Sequence, residues 1–150
     1  MKYIDTLGQS LKSDFLNDLF ETYNVTVSYE YDRCNENMED QFYAEIPEMG
    51  LEFLFDAMQK LTCIFMKPVK HSGYNPFDGE EPRETSFNTA NNAIAYAKEH
   101  NIPVEHQAAK DDELFGYIPE WTKFNFGNYS VHYQFNSRGV EMITLQATNA

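Results

Sequence analysis

The chain has 150 residues, 42% hydrophobic and 15% aromatic, with 24 acidic against 11 basic side chains and a formal net charge of −13. A globule of this length buries about 70% of the surface its unfolded chain exposes, so it folds without disulfide staples or a metal, and its apolar and aromatic content excludes intrinsic disorder. The charge excludes a nucleic-acid binder, whose phosphate contacts need a basic surface, and it opposes binding to an anionic membrane. Residues 1–6 carry one lysine but no apolar leader core. The longest apolar run, Leu61–Met66, is far short of the roughly 20 residues of a membrane span, so a cytoplasmic protein is expected. In that compartment Cys34 and Cys63 are expected as reduced thiols, Cys63 in the core and Cys34 in a polar loop.

Apolar residues at Leu11, Phe15, Leu16, Leu19, Phe20 and Tyr23 predict an amphipathic helix over 11–23, with Ser10 as its N-cap. Strict alternation then predicts a strand over 25–31, with Val25, Val27, Tyr29 and Tyr31 on one face. Residues 32–40 are polar and acidic and read as a loop. Three short strands follow at 41–46, 51–55 and 61–66, separated by turns at 47–50 and 56–60. Residues 67–85 have no periodicity and contain three prolines and two glycines, so they are expected to form one long loop within a single domain, not a boundary. A second helix is predicted over 89–100 with Ala90, Ala93, Ile94 and Ala97 on one face, Asn101 at C′ and Pro103 as the stop. Residues 104–122 read as irregular. The last strands are expected at 123–126, 129–135 and 140–145, joined by hairpin turns. The sum is an α+β single domain over 1–150, a largely antiparallel sheet of about seven strands packed against two helices.

No catalytic motif is present. The four histidines, His71, His100, His106 and His132, lack metal-ligand spacing, so neither a metal nor a cofactor is expected and the protein is read as a non-enzyme. His132 shares a strand face with Ser130 and Gln134 and reads as part of a polar stripe. The lone tryptophan, Trp121, reads as a core plug. The carboxylates carry more information because they gather in loops. Glu30, Asp32, Glu36, Glu39 and Asp40 face one Arg33; Asp78, Glu80, Glu81 and Glu84 face one Arg83; Asp111, Asp112 and Glu113 follow Lys110. Singly, each is a solvated face. Interleaved with Tyr43, Tyr74, Phe77, Phe115 and Tyr117, the three loops have the chemistry of an interface for a cationic partner: carboxylates steer, aromatics anchor. The expected partner-binding set is Glu36, Glu39, Asp40, Tyr74, Phe77, Asp78, Glu80, Glu81, Glu84, Asp111, Asp112 and Glu113.

Five blocks of sequence carry a resemblance. Gly50-Leu51-Glu52-Phe53-Leu54-Phe55-Asp56 is followed by Leu61-Thr62-Cys63-Ile64-Phe65-Met66-Lys67-Pro68 and Gly73-Tyr74-Asn75-Pro76-Phe77. Phe115-Gly116-Tyr117-Ile118-Pro119-Glu120-Trp121 and His132-Tyr133-Gln134-Phe135 close the pattern. Together they resemble the small cytoplasmic immunity proteins of bacterial polymorphic-toxin and contact-dependent growth-inhibition systems. The resemblance implies an inhibitor that binds the C-terminal toxin domain of a cognate effector, frequently a nuclease, and blocks its active site. An acidic inhibitor suits such a partner, because a nuclease presents cationic side chains to phosphates. The alternative is a small-molecule-binding or catalytic α+β domain with a pocket near Trp121 and His132, which would show convergent polar groups and a shifted pKa.

Overall fold

A computed structural model describes residues 3–31, 39–70, 73–79 and 87–148. The fold is α+β with mainly antiparallel strands, and it gathers into two compact units, residues 1–78 and 79–150. Their boundary falls inside the 67–85 stretch. No helix among the described residues is long and apolar enough to cross a membrane.

The first unit contains a 3-10 helix (Tyr3–Thr6), α1 (Asp14–Thr22) and the meander β1 (Thr26–Glu30), β2 (Gln41–Ile46), β3 (Leu51–Phe55) and β4 (Leu61–Met66), each strand antiparallel to the next. Strands β2, β3 and β4 have the predicted bounds, because their alternation is coupled to burial: Ala44, Ile46, Leu51, Phe53, Phe55, Leu61, Ile64 and Met66 form the core side. Against it α1 lays Leu16, which is fully buried, and Phe20, whose ring meets Phe53 edge-on at 5.4 Å. Each such side chain contributes roughly 1.5–3 kcal/mol by leaving water. The helix starts later than expected, and Ser13 holds its N-cap position in place of Ser10. The reason is tertiary. Gly8 and Leu11 donate backbone hydrogen bonds to Leu61 and Gln59, and Ser10 forms an isolated bridge with Lys60, so this stretch is tied to the β3–β4 turn and not free to join the helix.

Strand β1 is exposed at every residue, Val27 and Tyr29 included, so its predicted apolar face exists without a cover. Tyr29 instead stacks between Tyr31, at 5.8 Å, and Phe42, at 4.7 Å.

The second unit contains α2 (Ala90–Glu99), β5 (Val104–Gln107), β6 (Lys110–Asp112), β7 (Gly116–Ile118), β8 (Glu120–Asn125), β9 (Tyr129–Asn136) and β10 (Gly139–Ala147). The order β10-β9-β8-β5 forms one antiparallel sheet, and among the described residues β6 pairs only with β7. The helix stops at the predicted C′ residue, and Thr89, expected as its first residue, is its N-cap. The Thr89 hydroxyl accepts from the Asn92 N–H at 3.2 Å, and Asn101 sits at φ 56° while Ile102 N–H returns to the Ala97 carbonyl at 2.8 Å, closing a Schellman turn. Ala90, Ala93 and Ala97 are buried, and their small side chains let the helix lie close on β5 and β8. Phe87 packs edge-on against Tyr133 at 5.2 Å.

The expectation of an irregular 104–122 segment is corrected: it holds β5, β6, β7 and the first residues of β8. These strands are short, and β5, β6 and β7 have no buried residue, so no apolar alternation marks them. Pairing, not burial, defines them.

Candidate functional site

Of the expected partner-binding residues, Glu36, Glu80, Glu81 and Glu84 lie outside the described residues, as does Cys34. Glu39 is exposed just before β2, and Asp40 beside it accepts a 2.6 Å hydrogen bond from the Tyr29 hydroxyl. That bond, first among its causes, raises the Tyr29 pKa. Asp78 is exposed at the end of the first unit.

The two aromatic members of the set are held by the fold. Phe77 is 7% exposed, with its ring edge-on to Tyr3 at 5.9 Å, so it is a core residue and not a surface anchor. Its N–H donates to the Lys67 carbonyl at 2.7 Å, which ties the 73–78 segment down beside β4. Tyr74 is half-buried in a charge cluster. Glu45 and Glu52 stand directly opposite each other on β2 and β3, an unfavourable like-charge pair. Lys67, 7% exposed, answers it: its Nζ lies 3.4 Å from Glu52 Oε2 and 3.4 Å from the centre of the Tyr74 ring. The Tyr74 hydroxyl donates to Glu45, and burial followed by the Glu45 charge pushes its pKa far above the ordinary phenol value. This cluster satisfies itself. Cys63, on the same face of β4, is a buried free thiol whose pKa burial raises, so it is a poor nucleophile.

In the second unit the acidic residues 111–113 occupy the β6–β7 hairpin. Asp111 and Glu113 are exposed, and no cation lies within ion-pair distance of them among the described residues. Asp112 does a different job. Its Oδ1 accepts from the N–H groups of Leu114 at 2.8 Å and Phe115 at 2.9 Å, and these two donors hold its carboxyl below the usual pKa. The turn so formed presents Leu114, Phe115 and Tyr117 to solvent, 81%, 76% and 65% exposed. Leu114 is absent from the expected set. The available signal was two large apolar residues between Glu113 and Gly116 in a segment with no strand or helix period.

The alternative site is a half-buried stripe on β8 and β9. Trp121 lies 5.0 Å from His132 in a tilted stack, on the sheet face opposite buried Thr122 and Phe124, so it is not a core plug. Lys123 stands directly across from His132, and Gln134 donates to Glu141 at 2.7 Å. Burial first, then the Lys123 charge, lowers the His132 pKa from 6.5. The unfolded chain therefore takes up this proton before the folded one. The neutral ring's contribution to stability is complete above about pH 6.5 and is lost as pH falls toward the folded-state pKa. In urea denaturation from about pH 7.5 to 5.5, His132→Gln is expected to lose less stability on acidification than wild type. Parallel pH profiles would mean that other groups carry the acid sensitivity. His106 Nε2 makes a 2.8 Å contact with Glu120 Oε2, and no group of three metal-ligating side chains occurs among the described residues.

Comparison with protein-family models, with curated proteins and with solved structures finds no match for this chain.

Proposed function

We propose that this chain is a cytoplasmic immunity protein, a non-enzymatic inhibitor whose acidic loops occlude the cationic active-site surface of a cognate toxin domain, a nuclease. The observation that carries the reading is the state of its loop carboxylates. Glu39, Asp78, Asp111 and Glu113 are exposed and without a cationic partner among the described residues, in a chain of net charge −13. Carboxylates left unneutralised by the fold are available to steer a basic partner, and they supply rate and register more than raw affinity. The resemblance of the sequence blocks to toxin-immunity proteins supplies the partner class.

The test is co-purification with the C-terminal toxin domain encoded immediately upstream, at low and high salt, together with rescue of cells that express that domain. A complex that restores viability and weakens with salt is expected. Asp111→Lys with Glu113→Lys should slow association roughly tenfold at low salt and leave dissociation nearly unchanged, as for charges at an interface rim. Failure of the folded protein to bind would overturn the immunity reading and leave the Trp121–His132 stripe as the site to pursue.

A further inference from the structure

The β6–β7 hairpin spends two large apolar side chains where the fold has no use for them. Among the described residues it is a two-stranded ribbon paired only with itself, Asp111 opposite Tyr117 and Asp112 opposite Gly116. Ribbons this small are marginal alone. Here the turn is held by the double acceptance at Asp112 and by Gly116 at φ 75°, a conformation glycine adopts without strain. The result is a hydrogen-bonded tip carrying three of the four most exposed large apolar side chains among the described residues, Leu114, Phe115 and Tyr117. Clustered exposure of this kind marks an interaction surface, and a preordered turn loses little freedom on binding.

We propose that the hairpin is an anchor whose Leu114 and Phe115 insert into an apolar pocket of a protein partner with a rim of lysine or arginine side chains. Charge complementarity selects that occupant. Asp111 and Glu113 lie just before the apolar pair and have no cation within ion-pair distance among the described residues, so a neutral or acidic rim would leave both facing unfavourable surroundings. The same two carboxylates disfavour an anionic bilayer. Asp112 is a positioning residue, since its carboxylate holds the turn and not the partner. The inference rests on the proposed toxin partner and adds what holds the complex after encounter.

The experiment measures dissociation of the complex with the upstream-encoded toxin domain. Leu114→Ser with Phe115→Ser should speed dissociation by about 30-fold or more, with the salt slope unchanged, because buried anchors act on the off-rate while rim charges act on the on-rate. Asp112→Asn should weaken binding about fivefold by loosening the tip. Both side chains are exposed, so the double variant should keep the wild-type melting temperature; a benzophenone amino acid in place of Phe115 gives a second reading by crosslinking to the toxin domain, where the same probe at Phe126 does not. An unaltered complex in the double variant, or no crosslink at 115, overturns the anchor and leaves the immunity reading standing. No complex with wild-type protein overturns both. Wild-type binding to phosphatidylserine vesicles, or self-association, that is lost in the double variant would assign the tip to a membrane or a second copy and likewise overturn the proposal.

Discussion

Replacing Gly50 with alanine should destabilise the 1–78 unit by about 3 kcal/mol or more. Gly50 caps the 3-10 turn Pro47–Met49 at φ 66°, a left-handed conformation that an L side chain disfavours by roughly 1–2 kcal/mol. Space adds to the penalty. A Cβ there would meet the Asn75 carbonyl oxygen at 2.4 Å and the Phe77 nitrogen at 2.7 Å, both backbone atoms. Asn75 N–H donates to Pro47 and Phe77 N–H to Lys67, so the segment cannot withdraw without breaking those bonds and lifting Phe77 from the core. Gly73→Ala is the control: its φ is 82°, but no atom of the described residues lies within 4 Å of an added Cβ, so only the conformational penalty of about 1–2 kcal/mol applies. Urea denaturation read from the aromatic signal separates the two. Equal losses at both glycines would show that the close approach of residues 75–77 to Gly50 carries no energy.

Lys67→Met should cost about 2–4 kcal/mol, more than its single ion pair suggests. Removing the ammonium leaves Glu45 and Glu52 opposite each other on neighbouring strands with Tyr74 as their remaining donor. Methionine fills much of the lysine stem's volume, so the loss reports charge and not packing. Glu52→Gln alone should be milder, because it also relieves the carboxylate repulsion. The double variant Lys67→Met, Glu52→Gln should recover at least about 1 kcal/mol of the lysine loss. Strict additivity in that cycle would show that Lys67 does not act through Glu52.

Where burial and periodicity coincide, the sequence was legible. The β2–β4 meander has its predicted bounds because its apolar residues enter the core, and α2 stops at its predicted C′ residue because Asn101 acts through local backbone geometry. The strands β5, β6 and β7 were not legible. They are three or four residues long and bury no side chain, too short to show alternation, whereas β1, equally exposed, was legible because Val27 and Tyr29 alternate with polar residues. The start of α1 failed for another reason: Ser10 is a good capping residue, but pairing with Lys60 outweighs its local preference.

By itself the sequence determined the fold class, the sign of the surface and the stop of the second helix at Asn101, all of which depend on composition or on neighbours a few residues apart. Only the tertiary structure decided which aromatic residues beside the carboxylates are available to a partner. Phe77 and Phe115 follow the same description in sequence, yet one is 7% and the other 76% exposed. The difference comes from the chain's path, since Phe77 is drawn inward where its N–H reaches the Lys67 carbonyl, while Phe115 sits on a turn that Asp112 holds in water.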